Sequence, residues 1–120
     1  MADRILFIGF AEPVRGREER AVESFNEAMG YFGRKQQEGG VESFDVALLQ
    51  PNTDLGGFIA VQGTAAQLAA VHEDEEFTRL ITRATTLVEG MRVTDGYMNE
   101  GVAGQMAIYQ EAIAGVPQMA

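Results

Sequence analysis

Residues 4–10 read Arg4-Ile5-Leu6-Phe7-Ile8-Gly9-Phe10, a short run that is apolar on both faces if it is a strand. Side chains alternate across a strand, so Ile5, Phe7 and Gly9 share one face while Leu6, Ile8 and Phe10 share the other. A sheet covered on one side only alternates apolar with polar residues. This strand does not, so both of its faces need a cover. The run is also too short to span a membrane or to serve as a signal-peptide core.

The following residues set the element order. Pro13 and Arg15-Gly16 stop the first strand, and a helical period then runs over residues 17–38, with Val22, Phe25, Met29 and Phe32 on one stripe and Ala21 and Ala28 beside them. Glu18 and Glu19 favour its first turn, Arg34 and Lys35 its last, and Gly39-Gly40 ends it. Residues 41–50 and 57–63 form two strands too close in sequence for a parallel crossover, so they make an antiparallel hairpin. Thr64-Ala65-Ala66-Gln67 is a capping box that opens a short helix. The apolar rhythm pauses at residues 72–76 and resumes with Phe77, Leu80, Ile81, Ala84, Leu87 and Val88, a second helix that Asp74 caps and Gly90 closes. A fourth strand covers residues 91–98. A terminal helix over residues 100–114 places Val102, Met106, Tyr109 and Ile113 on one stripe.

The order β-α-β-β-α-β is the split βαβ, or ferredoxin-like, arrangement, an α+β fold with one antiparallel sheet and helices on one face. A single domain over residues 1–120 is expected, residues 1–99 forming its core and residues 100–120 a helix and tail. In the second strand Phe44, Val46 and Leu48 form the row suited to the helices, against Ser43, Asp45, Ala47 and Leu49. The face away from the helices is too hydrophobic to stand in water as a broad patch. Either the terminal helix or the sheet of a second copy covers it. Sheet on sheet with two-fold symmetry makes a homodimer the expected assembly.

Composition removes several function classes. The 120 residues carry nine Lys+Arg against eighteen Asp+Glu, so an acidic surface argues against nucleic acid as a partner. There is no cysteine, which excludes disulfides, thiolate nucleophiles and Cys-held metal or iron–sulfur sites. A cytoplasmic protein without a membrane partner is the expectation.

Several short motifs resemble a bacterial family of the dimeric α+β-barrel superfamily. They are Gly40-Val41-Glu42-Ser43-Phe44, Asp54-Leu55-Gly56-Gly57-Phe58, Gly63-Thr64 with Gln67-Leu68, and Glu76-Phe77 with Arg79-Leu80. The resemblance implies a ferredoxin-like protomer whose sheet packs on its partner's. The superfamily includes cofactor-free monooxygenases, isomerases, haem-handling enzymes and barrels with no known activity, so it leaves the chemistry open. The single histidine, His72, lies in the helical break, where the haem ligation of some relatives has no counterpart. No catalytic residue is carried over.

On the residues themselves, the polar groups sharing the non-helical face are the expected ligand-binding set: Ser43, Asp45, Gln62, Arg92 and Thr94, with apolar Phe58, Phe7 and Leu49 beside them. An apolar pocket with a few converging polar groups is the usual form of a small-molecule site. A desolvated Asp45 would serve as a general base; alternatively Asp45 and Arg92 simply pair, or sit at the wet rim of a dimer interface. His72 is a second catalytic candidate. The acids at 73–76 lack the ligand spacing and glycine of a calcium loop and read as a solvated helix start, so no metal and no cofactor is expected. Tyr31 and Arg34 could reach a pocket mouth, though helix termination explains them more simply, and Tyr97 closes the fourth strand, to pack on the terminal helix or to donate its hydroxyl to a ligand. The leading expectation is a homodimer binding a small apolar molecule beside the sheet. The alternatives are a cofactor-independent monooxygenase- or isomerase-like enzyme, or a structural or regulatory dimer without a ligand.

Overall fold

The computed structural model describes residues 2–117 and 119. Its elements follow in the expected order: β1 (Arg4–Phe10), α1 (Glu18–Gln37), β2 (Ser43–Leu48), β3 (Gly57–Gly63), α2 (Ala65–Glu73), α3 (Glu75–Thr85), β4 (Arg92–Tyr97) and α4 (Glu100–Ala114). The four strands form one sheet in the order β2-β3-β1-β4, each neighbour antiparallel. This is the ferredoxin-like fold.

Local chemistry explains most of the boundaries. Gly39 follows α1 with φ of +80°, the left-handed conformation that glycine adopts without a Cβ penalty. At α2, the Thr64 hydroxyl accepts from the Gln67 amide while the Gln67 side chain accepts from the Thr64 amide, a closed capping box. The break between α2 and α3 falls at Asp74, whose carboxylate accepts from the Glu76 amide. The expected run of α3 through Leu87 and Val88 ends early, at Thr85. Those two residues instead pair with the segment after β1: the Val14 amide donates to the Leu87 carbonyl at 2.8 Å, and Pro13 bridges to Val88.

The core lies between the sheet and α1, α2 and α3. Leu6, Ile8, Ile59 and Val61 supply the sheet side, and Tyr31, Phe32, Leu68, Val71, Phe77 and Leu80 the helical side. Tyr31, near the end of α1, is buried. Its ring packs edge-on to Phe32 at 5.0 Å, and its hydroxyl donates to Asp74 at 2.6 Å. One bond therefore ties the C-terminal half of α1 to the cap of α3.

The terminal helix is the exception to this packing. None of the described α4 residues is buried, and its main neighbour is β4. The radius of gyration is 16.8 Å, against about 14 Å expected of a compact chain this long. α4 is an arm, and on the non-helical face of the sheet Ile5, Phe7 and Phe58 are half-buried.

Candidate functional site

Strand register places the sequence-chosen residues. Ser43 pairs with Gln62 and Gln62 with Ile5; Asp45 pairs with Ala60, Ala60 with Phe7 and Phe7 with Thr94; Phe58 pairs with Gly9 and Gly9 with Arg92. Directly paired residues point to the same side, so Ser43, Asp45, Phe58, Gln62, Arg92 and Thr94 do share the face away from the helices. Its centre is aromatic, with the Phe7 and Phe58 rings 5.2 Å apart. Its margins are polar. The Ser43 hydroxyl donates to Gln62 Oε1 at 2.7 Å, and Gln62 Nε2 donates to Asp45 Oδ2 at 2.8 Å.

Asp45 and Arg92 do not pair. They stand on β2 and β4, the two opposite edges of the sheet. Arg92 instead meets Asp54, donating to its carbonyl at 3.2 Å with the carboxylate 3.6 Å away. Asp45 is exposed at the β2 edge.

His72 lies on the other side of the sheet, at the end of α2. Its Nε2 is 2.9 and 3.0 Å from the two carboxylate oxygens of Asp95 on β4. Its ring meets Phe77 edge-on at 5.9 Å. Both partners are exposed, in an open groove with Arg4 and Tyr97, where the Arg4 guanidinium lies 4.7 Å over the Tyr97 ring. Three of the four acids that follow His72 have protein partners: Glu76 binds Arg34 at 2.5 Å, Glu75 binds Arg79, and Asp74 takes the Tyr31 hydroxyl. Among the described residues no three His, Asp or Glu side chains gather as a metal site.

A half-open apolar cleft lies between the sheet and the helices, where no candidate residue was placed. It measures about 360 Å³. Ile8, Phe10 and Ile59 form its sheet wall, and Phe25 and Phe32 on α1 face Phe77, Leu80 and Ile81 on α3. It exists because α1 presents Ala21, Ser24 and Ala28 at this level and α3 presents Ala84; each is too small to fill the gap between the two layers. Ser24 is the sole polar side chain among the lining residues. No titratable group lines it. Val22 and Leu48 line it while remaining 58% and 73% exposed, so they form its mouth at the β2 edge. The Pro13–Val88 bridge closes another side, and Gly56 joins the ends of β1 and β2, its amide donating to the Phe10 carbonyl at 2.7 Å and its carbonyl accepting from the Leu49 amide at 2.8 Å. A Cβ on Gly56 would stand 1.9 Å from the Ala11 carbonyl oxygen, so that junction requires glycine. The signal for this cavity was a stripe of small residues inside an apolar helix, spaced three and four apart.

This geometry belongs to a recognised structural class, the ferredoxin-like α+β proteins. Among solved structures, the chain is similar to a conserved protein of unknown function from Bacteroides thetaiotaomicron, described as a possible oxidoreductase, with a TM-score of 0.61 and 18% identity over 82% of this chain and 100% of that one. It is similar to a dimeric protein of unknown function and ferredoxin-like fold from Bacteroides fragilis, with a TM-score of 0.57 and 12% identity over 79% and 96%. It also resembles a mutant of SnoaB, a cofactor-independent oxygenase from Streptomyces nogalater, with a TM-score of 0.58 and 14% identity over 82% and 93%. No family model and no curated protein matches the chain. At these identities the likeness is one of fold. Among the described residues no helix is long and apolar enough to cross a membrane.

Proposed function

We propose that the protein is a homodimer in which each subunit binds a small apolar molecule in the cavity between its sheet and its helices. The observation that carries this reading is the cavity's lining, four phenylalanines and a group of aliphatic side chains with Ser24 as the lone polar one. A space of that size holds a small ligand, and Ser24 offers one hydroxyl to orient it. The dimer has separate support. The non-helical face has an aromatic centre and a polar margin, the anatomy of an interface, and one solved neighbour is described as dimeric. On this reading Ser43, Asp45, Phe58, Gln62, Arg92 and Thr94 face the partner's sheet instead of the ligand.

Binding is preferred to acid–base catalysis because Asp45 and His72 both lie outside the cavity lining. The test is binding of the neutral fluorophore N-phenyl-1-naphthylamine to the wild-type chain and to Ala28→Phe, which fills the cavity from α1. The expected result is saturable fluorescence enhancement in the wild type, at least tenfold weaker in the variant, with Asp45→Asn and His72→Gln unchanged. Equal binding by Ala28→Phe would place the apolar site elsewhere. Loss of binding in His72→Gln would restore the catalytic reading of that residue.

A further inference from the structure

We propose that α4 crosses to the second copy and lies over the partner's cavity mouth, so that each ligand site is completed by the other chain. The proposal rests on the homodimer reading above. Two apolar surfaces in the chain lack a cover. One is α4, with Val102, Met106, Ile108 and Tyr109 all between 46% and 61% exposed. Val102, Met106 and Tyr109 share one stripe of the helix with Ile113, while Glu100, Gln105, Gln110 and Glu111 lie off it. An apolar stripe of this kind is the face a helix packs against another surface. The other surface is the mouth, where Val22 and Leu48 are exposed and Val46, on the same face of β2, is 37% exposed.

The arm does not serve its own mouth. Its root is pinned at the β4 edge, where the Asn99 side chain donates to the Ala2 carbonyl at 2.8 Å and a Cβ on Gly101 would stand 2.2 Å from the Asp3 carbonyl oxygen. The mouth is at the β2 edge, three strands away, about 14 Å across the sheet. It also lies toward the opposite end of β1, beside Phe10 and not Arg4. A two-fold axis resolves this, because it brings each arm to the other chain and satisfies both surfaces twice. A membrane surface is the poorer occupant: α4 carries no Lys or Arg, and the chain has a net charge of −9.

The absence of native cysteine makes the test direct. Leu48→Cys and Met106→Cys chains are made separately, refolded together and oxidised, with Val22→Cys and Tyr109→Cys as a second pair. All four positions are exposed, so folding is not at risk. The expected result is a disulfide-linked dimer in each mixture and little from any single variant alone. A protein dimeric by native mass with no link in either mixture overturns the arm exchange while leaving the dimer standing. A link within one chain of the Leu48→Cys, Met106→Cys double variant also overturns it. A monomeric mass overturns the dimer reading and the exchange with it.

Discussion

Tyr31 and Asp74 show how much rests on one side-chain contact. Burial, reinforced by the adjacent Asp74 carboxylate, pushes the Tyr31 phenol well above its ordinary value near 10. The same hydrogen bond, opposed by partial burial and aided by the Glu76 amide and Lys35, holds Asp74 below its ordinary 3.8. The two shifts are one interaction seen from both ends. For Asp74, a depressed value means stability that is complete above the ordinary carboxylate value and lost as pH falls below about 4. For Tyr31, a raised value means stability complete below about pH 10 and lost as pH rises beyond it. Tyr31→Phe should cost about 1–2 kcal/mol in urea unfolding near pH 7. It should also flatten the pH dependence of stability at both extremes; an unchanged acid limb would show that Asp74 is not held by Tyr31. Gly56→Ala should lower stability by about 2 kcal/mol, because its methyl group meets backbone that cannot yield.

At the scale of elements, the capping box at Thr64 is the clearest local determinant. Thr64→Ala should destabilise the fold by about 1 kcal/mol in urea unfolding, and Thr64→Ser by much less. β1, β3 and α4 have the bounds their sequence pattern implies, because turn residues, caps and alternation act within a few positions of the chain. The end of α3 was not legible in that way. Leu87 and Val88 continue the helical period, yet Val88 is claimed by a bridge to Pro13 far away in sequence. The grouping of Ser43, Asp45, Phe58, Gln62, Arg92 and Thr94 was legible, since alternation assigns faces. The separation of Asp45 from Arg92 was not, because it depends on strand order across the sheet. The cavity escaped for a different reason. Alternation and period say which side chains turn inward, but not whether Ala21, Ser24 and Ala28 leave volume that Phe25 and Phe77 fail to fill.

At the scale of the molecule, a projecting helix with an apolar stripe, a half-exposed aromatic sheet face and an apolar mouth meet in one copy of the chain, and in the proposed assembly a two-fold partner covers all of them. The measurement that tests this most directly is native mass spectrometry of the full chain purified from its own host. The predicted spectrum shows twice the 13.0 kDa chain mass plus the mass of retained small molecules, which depart when the protein is denatured. A bare monomer at 13.0 kDa, with nothing bound, would contradict both the assembly and the site.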